Sequence, residues 1–439
     1  MSLSQTATPF DWRDAVIYHV ETDRFFDGDP KNNANIEKRN PAGWHGGDFR
    51  GLLAKVDYLK ALGVNAVWFS PVAKQVEKPH RSARLTHWPF HGYWPARFDE
   101  VEPRFGSRAD LLALTKALRG AGIRIVLDVV LNHVGYGAVH AGIRTPCGKD
   151  DITKCLFGLP DLRTEDPAVW EPLVKSTKQL VDETGADAVR LDAANHIGPT
   201  EWRTFRRAIP SPLLIGELWG FDAAEKKSWD GLRARDLDTA FDFAFADLAL
   251  GWVTGRLATD SLAKHLAKRD AAIAGAAVPP IHFLDTHDTE PFLSRARGDK
   301  AALKLAAVLE FAVSGIPLIN YGNEVGRKGG RWPTNRGDMP WGAAQDKRLL
   351  EFYKRLVYAR RIDPGLRRAK SIVSALSRDL LMVMRGETVV LLNRGRRREI
   401  AKVDVANAKS WVDVLSEKKL AAKNLTVSPR SARILVRAE

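Results

Sequence analysis

The strongest chemical signal in the chain is the stretch D-A-V-R-L-D-A-A-N-H, residues 187–196. Its first half is short, apolar and β-branched, which predicts a strand. Arg190 and Asp192 stand two apart, and residues two apart on a strand share a face. A buried parallel strand usually reads as an unbroken run of Val, Ile and Leu. An ion of each sign on one face of it is costly unless the two are paired or used. Two readings stand at this point: a structural ion pair, or a carboxylate nucleophile oriented by an arginine at the end of a barrel strand. Glu217 closes the run P-L-L-I-G-E-L-W (212–219), and Asp288 closes P-I-H-F-L-D-T-H-D (280–288). Cleaving a glycosidic bond takes two carboxyls, one as nucleophile or base and one as an acid of raised pKa. A third can stabilise charge on the sugar ring. Three such acids, with His133, Arg190 and His287 beside them, point to catalysis.

The elements that must position these residues follow from periodicity. Strands are predicted at 15–21, 66–72, 124–133, 187–192, 212–219, 239–245 (the weakest), 280–288 and 316–324. Helical spacing appears at 49–62, closed by Gly63, and near 107–121, 166–184 and 300–314. Eight strands alternating with helices predict an α/β fold, a (β/α)₈ TIM barrel whose chemistry sits at the strand C-termini. Residues 1–133 and 179–362 are assigned to the barrel. Residues 134–178, irregular up to 165, form a short insertion after the third strand. Beyond residue 363 short apolar runs at 381–385, 388–393 and 432–436 are separated by turn residues, so 363–439 is read as a C-terminal antiparallel β-sandwich domain.

Composition narrows the classes. With 439 residues and a hydrophobic share of 45%, the chain holds one large and one small domain and is not disordered. It has no run of 18 apolar residues, which argues against a membrane helix. Its start, M-S-L-S-Q-T-A-T-P-F, lacks the features of a signal peptide, although a leader could have been removed. The net charge is +14. The basic residues are spread out, with small clusters at R-G-R-R-R (394–398) and E-K-K (417–419), and no nucleic-acid motif accompanies them. This favours a solvated basic surface over a functional anion site, with neither nucleic acid nor membrane as partner. Cys147 and Cys155 are too few for a metal site and form either a local disulfide or two free thiols.

The loop after the first strand, T-D-R-F-F-D-G-D-P-K-N-N, concentrates oxygen donors at Asp27, Asp29, Asn32 and Asn33, and Gly46, Gly47 and Asp48 follow. Hard cations take six to eight oxygens, so a Ca²⁺ site is one reading. A turn-rich loop with Asx caps is the other. Thirteen tryptophans, among them Trp44, Trp88, Trp94, Trp219 and Trp332, either line sugar sites or pack in the core.

As a set, D-V-V-L-N-H (128–133), A-V-R-L-D-A-A-N-H (188–196), G-E-L-W (216–219) and F-L-D-T-H-D (283–288) resemble the α-amylase family of glycoside hydrolases, as do G-L-P-D-L (158–162) and N-R-G-D-M-P-W (335–341). The resemblance covers about residues 12–436. It implies a retaining mechanism with Asp192 as nucleophile, Glu217 as general acid then base, and Asp288 as transition-state stabiliser. It implies that Arg190 orients Asp192, that His133 and His287 bind sugar hydroxyls, that Tyr93 stacks on the sugar, and that Asp128 is the acid at the site floor. Asn195, His196 and Trp219 join the substrate-binding set. Asn195 stands where many amylases carry Lys, and Thr286 where Asn is common, which casts doubt on strict long-chain amylase action.

The resemblance also bears on metals. Asp27, Asp29, Asn32, Asn33, Gly46 and Asp48 are similar to the N-terminal Ca²⁺ loop of cyclodextrin-acting members. Asn132, Asp161 and His196, through its carbonyl, match the ligands of a second Ca²⁺ site. The implied substrate is starch or another α-glucan, or a maltooligosaccharide, with hydrolysis of α-1,4 bonds expected. The alternative is a transglycosylase or isomerase on the same triad. A catalytically dead binding member would have lost triad carboxylates, and all three are present. No extra N-terminal domain is visible, which favours a monomer. The resemblance and the cysteine pair favour a periplasmic or secreted location; the missing leader leaves a cytoplasmic one as the alternative.

Overall fold

Eight short parallel strands close into a barrel in a computed structural model that describes residues 10–82, 85–403, 409–421 and 424–438. The residues 1–9 inspected for a leader lie outside those described. The strands are Ile17–Val20, Ala66–Phe69, Arg124–Val129, Ala188–Leu191, Leu213–Gly216, Thr239–Asp242, Ile281–Phe283 and Ile316–Asn320. Each pairs with its neighbours in sequence, and the first pairs with the eighth. All eight lie inside the predicted runs. They are shorter because each run's C-terminal residues have already left the ladder. The sixth run, for example, turns directly into helix Phe243–Val253.

Alternation along the strands explains the layering. Ala66, Trp68, Val126, Ala188, Ile215, Ile281 and Leu318 point inward and pack together as the barrel's own core. Val67, Phe69, Ile125, Leu127, Val189 and Leu191 point outward against the helices. Above the apolar inner layer the same inward positions turn polar, at His19, Asp128, Arg190 and Asn320, all buried.

The helices fall near their predicted ranges: Arg108–Gly120, Pro167–Thr184 and Lys300–Ala312. Residues 49–62 form two helices, Phe49–Ala54 and Val56–Leu62, not one. The break is at Lys55, whose ammonium sits 3.7 Å from the Phe26 ring centroid and 4.4 Å from that of Trp341. The long loop after the second strand holds structure that periodicity did not predict, two small antiparallel pairings: Ala73–Gln75 with Pro95–Val101, and His80–Arg81 with Thr86–His87. Between residues 134 and 165 the one helical turn is Leu156–Gly158, next to a disulfide joining Cys147 and Cys155. No described helix is long and apolar enough to cross a membrane.

The C-terminal part is a six-stranded antiparallel sheet built from Ser371–Ala375, Leu380–Arg385, Thr388–Asn393, Ser431–Ala438, Ser410–Asp413 and Lys418–Ala421 in that spatial order. One face, with Leu381, Val383, Val390, Leu392 and Ile434, packs on the barrel helices. The other, with Leu380, Val389, Leu391 and Leu435, packs on Ala401, Leu425 and Val427 of a two-stranded sheet.

Arg394 fastens the two parts. Its guanidinium is buried and donates to the carbonyls of Trp252 and Leu257 on the barrel side, and to the Arg378 carbonyl and Asp379 on the sheet side. Arg394→Ala strips these acceptors of their donors. It is expected to destabilise the protein by about 2–4 kcal/mol, read as a lower thermal midpoint. A change below about 0.5 kcal/mol, the range of ordinary surface substitutions, would contradict this role.

Candidate active site

At the C-terminal mouth of the barrel one guanidinium organises three acids. Arg190 Nη1 lies 2.9 Å from Asp128 Oδ1 and 2.7 Å from Asp192 Oδ1, and Nη2 lies 2.9 Å from Glu217 Oε1. Arg190 and Asp128 face each other because strands three and four pair Asp128 with Arg190. Asp192 follows the strand by one residue and stays on the Arg190 side, as the two-residue period requires. The next residue, Ala193, has φ of +48°, a left-handed conformation that costs a non-glycine residue energy. This turn aims the Ala193 N–H at Glu217 Oε2, 2.8 Å away, and the Ala194 N–H at the Glu217 carbonyl, 3.1 Å away. The backbone after one acid thereby fixes the other.

Asp128 forms the floor. It is fully buried and accepts from the Trp68 indole at 2.9 Å and the Tyr93 hydroxyl at 2.7 Å as well as from Arg190. Tyr93 in turn stacks on His287, with ring centroids 5.2 Å apart and planes 4° apart. His133 donates from Nε2 to the Tyr93 carbonyl. Burial lowers the pKa of His133 to about 4 and pushes that of His287 well down, so both rings are neutral near pH 7.

Asp288 is held separately and is more exposed. Arg336 Nη2 donates to Asp288 Oδ1 at 2.8 Å, and His287 Nε2 lies 3.1 Å from Oδ2. Arg336 also donates to the His287 carbonyl, which locks the loop that carries both residues. Sequence reasoning did not single out Arg336, although it stands in the quoted N-R-G-D-M-P-W. It also missed Glu21, a fully buried carboxyl at the C-terminal end of the first strand. Its position, polar at a strand end, was the available signal. Glu21 Oε2 has no hydrogen-bond partner and lies 3.8 Å from Arg336.

Burial raises the pKa of both Asp192 and Glu217, and Arg190 opposes this on each. Two buried carboxyls sharing one cation bind protons as a pair. Arg190 contacts both, Asp192 at 2.7 Å and Glu217 at 2.9 Å, and Glu217 also accepts the Ala193 N–H.

Trp219 and Trp332 are exposed at 61% and 41%, available to a ligand, whereas Trp44 is core. Trp94 is buried and Trp88 half-buried. Asn195 donates to the Trp219 carbonyl, and His196 Nδ1 donates to the Asp151 carbonyl.

The first oxygen-rich loop contains three buried oxygens without a hydrogen-bond partner: Asp27 Oδ1, Asn32 Oδ1 and Asn33 Oδ1. Gly46, at φ +94°, makes room for them, since a Cβ there would stand 2.4 Å from Asn33 Oδ1. Asp48 instead caps the following helix and accepts from the N–H groups of Gly28, Asp29 and Gly51. Asp29 takes the Lys31 N–H and pairs with Arg50. No three His, Cys, Asp or Glu side chains form a metal-binding group among the described residues, and two of these three orphan oxygens come from amides. The chemistry of this donor set, one carboxylate oxygen and two amide oxygens, fits a hard cation. At the second location Asn132 Oδ1 and Asp161 Oδ1 are also buried without a partner. There Arg144 lies 2.7 Å from Asp161 Oδ2 and already supplies a positive charge.

Comparison with known proteins agrees with this architecture. The family model "Alpha amylase, catalytic domain" matches residues 19–141 and 152–369. Neopullulanase 2 of Thermoactinomyces vulgaris is 29% identical over 98% of this chain and 79% of its own. An Anoxybacillus α-amylase structure superposes with a TM-score of 0.87 at 27% identity, covering 97% of this chain and 98% of that one. The cyclic α-maltosyl-(1→6)-maltose hydrolase of Arthrobacter globiformis, solved with maltose, gives 0.83 at 27% identity over 98% of this chain and 100% of its own.

Glu21 allows a pH test. Its pKa is raised to about 7, chiefly by burial, from an ordinary value of 4.5. The native state therefore holds a proton that the unfolded chain releases. The stability linked to Glu21 is complete below pH 4.5 and is lost as pH rises through about 7. Glu21→Gln removes that loss. The variant is expected to gain on the wild type as pH rises from 5 to 8, by up to about 3 kcal/mol, in thermal or denaturant unfolding. Parallel stability profiles would refute the assignment.

Proposed function

The chain belongs to the α-amylase family and is a glycoside hydrolase, and on that premise we propose that it cleaves α-1,4-glucosidic bonds of starch or maltooligosaccharides with retention, through a covalent glycosyl-enzyme intermediate. The observation that carries the reading is the single guanidinium of Arg190 shared by Asp128, Asp192 and Glu217. Two carboxyls on the terminal nitrogens of one guanidinium suit a double displacement, which wants them about 5–5.5 Å apart, rather than the wider gap of inversion.

In this reading Asp192, ionised beside Arg190, attacks the anomeric carbon. Glu217 gives its proton to the departing glycosidic oxygen. Glu217 then takes a proton from water as that water attacks the same carbon and releases Asp192. Asp288, braced by Arg336, faces the positive charge that develops on the ring. Tyr93, held flat by His287, offers a stacking surface, and the neutral His133 and His287 donate to or accept from sugar hydroxyls. Trp219 and Asn195 stand next to Glu217, where they suit the leaving side. Maltose in the Arthrobacter globiformis hydrolase supports an α-glucan as the substrate class.

Ca²⁺ in the 27–48 loop would be held by Asp27, Asn32, Asn33 and the Gly46 carbonyl, with Asp29 and Asp48 ordering the loop around them. It would be structural. At the second location, at Asn132, Asp161 and the His196 carbonyl, the Arg144 charge makes a cation redundant, and no role is proposed for one there.

Asp192→Asn leaves Arg190 paired with Asp128 and Glu217 and is expected to lower kcat/KM on maltoheptaose by at least about 10³-fold. Wild-type turnover in that variant would end the mechanism. Timed product analysis of the wild type should yield shorter maltooligosaccharides. Products longer than the substrate would move the reading to a transglycosylase. Chelation is expected to lower the melting point, because a ligand bound only by the native state stabilises it. An unchanged midpoint, with no calcium in elemental analysis, would dismiss the ion.

A further inference from the structure

Behind the barrel mouth, where helix Phe243–Val253 and the turn at Arg295–Asp299 meet the C-terminal sheet, lies a cleft of about 1170 Å³. Eight arginines line it against four carboxylates. Two of those carboxylates are already engaged, Asp379 by Arg394 and Asp299 by Arg430. The guanidinium groups of Arg297, Arg378, Arg396 and Arg397 are exposed and have no hydrogen-bond, ion-pair or ring partner among the described residues.

The walls are built to stay in place. Asn393 is fully buried, accepts the Gly395 N–H at 2.8 Å and donates to the Arg397 carbonyl at 2.8 Å. That clamp fixes the turn that presents Arg396 and Arg397. Arg394, through the fastening described above, fixes Arg378 against the barrel. Four cations that repel one another are thus held around one concavity, at a cost that a bound anion would cancel. A concave site with low-dielectric walls focuses such a field. The guanidinium fork matches phosphate oxygens in pairs. The volume, just above the range of about 300–1000 Å³ usual for ligand sites, has room for a small molecule. No aromatic residue lines the cleft, so nothing there stacks on a nucleobase.

We propose that this cleft binds a small phosphate-bearing polyanion, and that the R-G-R-R-R cluster at 394–398 is part of that site rather than merely solvated surface charge. The ligand class is a compound with two or more phosphate groups, either inorganic or carried on a sugar. The site is separate from the Asp192 centre and does not depend on the function proposed above.

The test is isothermal titration of the whole protein with inorganic pyrophosphate and with glucose 1,6-bisphosphate, at fixed ionic strength held by chloride. One molecule should bind per chain. Binding should weaken at least tenfold in the variant carrying Arg378→Ala, Arg396→Ala and Arg397→Ala, which removes no observed contact. Tighter binding of the bisphosphate identifies a phosphorylated sugar as the ligand, and tighter binding of pyrophosphate an inorganic one. If the triple variant does not fold, hydrogen exchange of the wild type supplies the readout. Protection by pyrophosphate should then centre on residues 393–397. No binding of either probe at millimolar concentration would overturn the proposal. So would equal binding by the triple variant, or protection elsewhere.

Discussion

Everything at the mouth of the barrel depends on a cation that has no route to water. Arg190 is almost fully buried, and so are Asp128 and its partner Trp68. Removing one member of a buried ionic set leaves an uncompensated charge, and the penalty runs to about 3–5 kcal/mol. The arrangement is therefore close to all-or-none. A neutral residue at 190 would leave three acids crowded with no cation between them, and they would take up protons instead of staying ionised. The same guanidinium that makes the burial tolerable contacts both Asp192 and Glu217. Stability and chemistry rest here on one side chain, which explains why an arginine stands in a strand that periodicity alone would fill with valine or leucine.

The acid outside this set, Asp288, is built in on a different principle. Asp288 does not reach Arg190 and is held from the other side by Arg336 and His287. Arg336 also grips the backbone carbonyl of His287, so the loop and its acid move together. Because Asp288 keeps contact with solvent, it carries its charge at lower cost than the buried pair. Glu21, which approaches the same arginine from below, is the exception in this economy. It is a buried carboxyl with one oxygen unpartnered, and Arg336 is too far from it for a hydrogen bond. It resembles a group tolerated in its protonated form.

The barrel was legible because its signal is repeated eight times. Alternation of short apolar runs with helical periods is hard to produce by another fold, and polar residues at the run ends announced the strand C-termini. Local irregularities were not legible. The break falls at Lys55, which lies over rings at Phe26 and Trp341, and Trp341 lies far away in sequence. Of the paired strands between residues 73 and 101, three have only two or three residues and Pro95–Val101 lacks a regular apolar alternation. Asp192, Glu217 and Asp288 stood out in the sequence because they stand in or at the ends of apolar runs. Arg336 and Glu21 escaped because their roles exist only in the contact between the first strand and the loop after the eighth. In the oxygen-rich loop, sequence identified the donors but did not distinguish Asp48, which caps a helix, from Asp27, whose oxygen is free.

Net charge was the least interpretable number, and the structure explains why. The arginines occupy three different environments. Arg190, Arg336 and Arg269 are buried against carboxylates, and their charge is cancelled locally. Arg360 is buried among backbone carbonyls alone, those of Arg13, Gly315 and Leu366, and burial lowers its pKa to about 9. It acts as a five-donor peg more than as a charge, as does much of Arg394. The cleft arginines form the third class, exposed and unpaired. A sum over the sequence weighs all three alike. Of the exposed class, Arg297, Arg378, Arg396 and Arg397 gather where the barrel meets the sheet. Spread along the chain, those residues read as ordinary basic surface. Folded, Arg297, Arg378, Arg396 and Arg397 come from three separate segments to one concavity, and that convergence gives the excess charge a location.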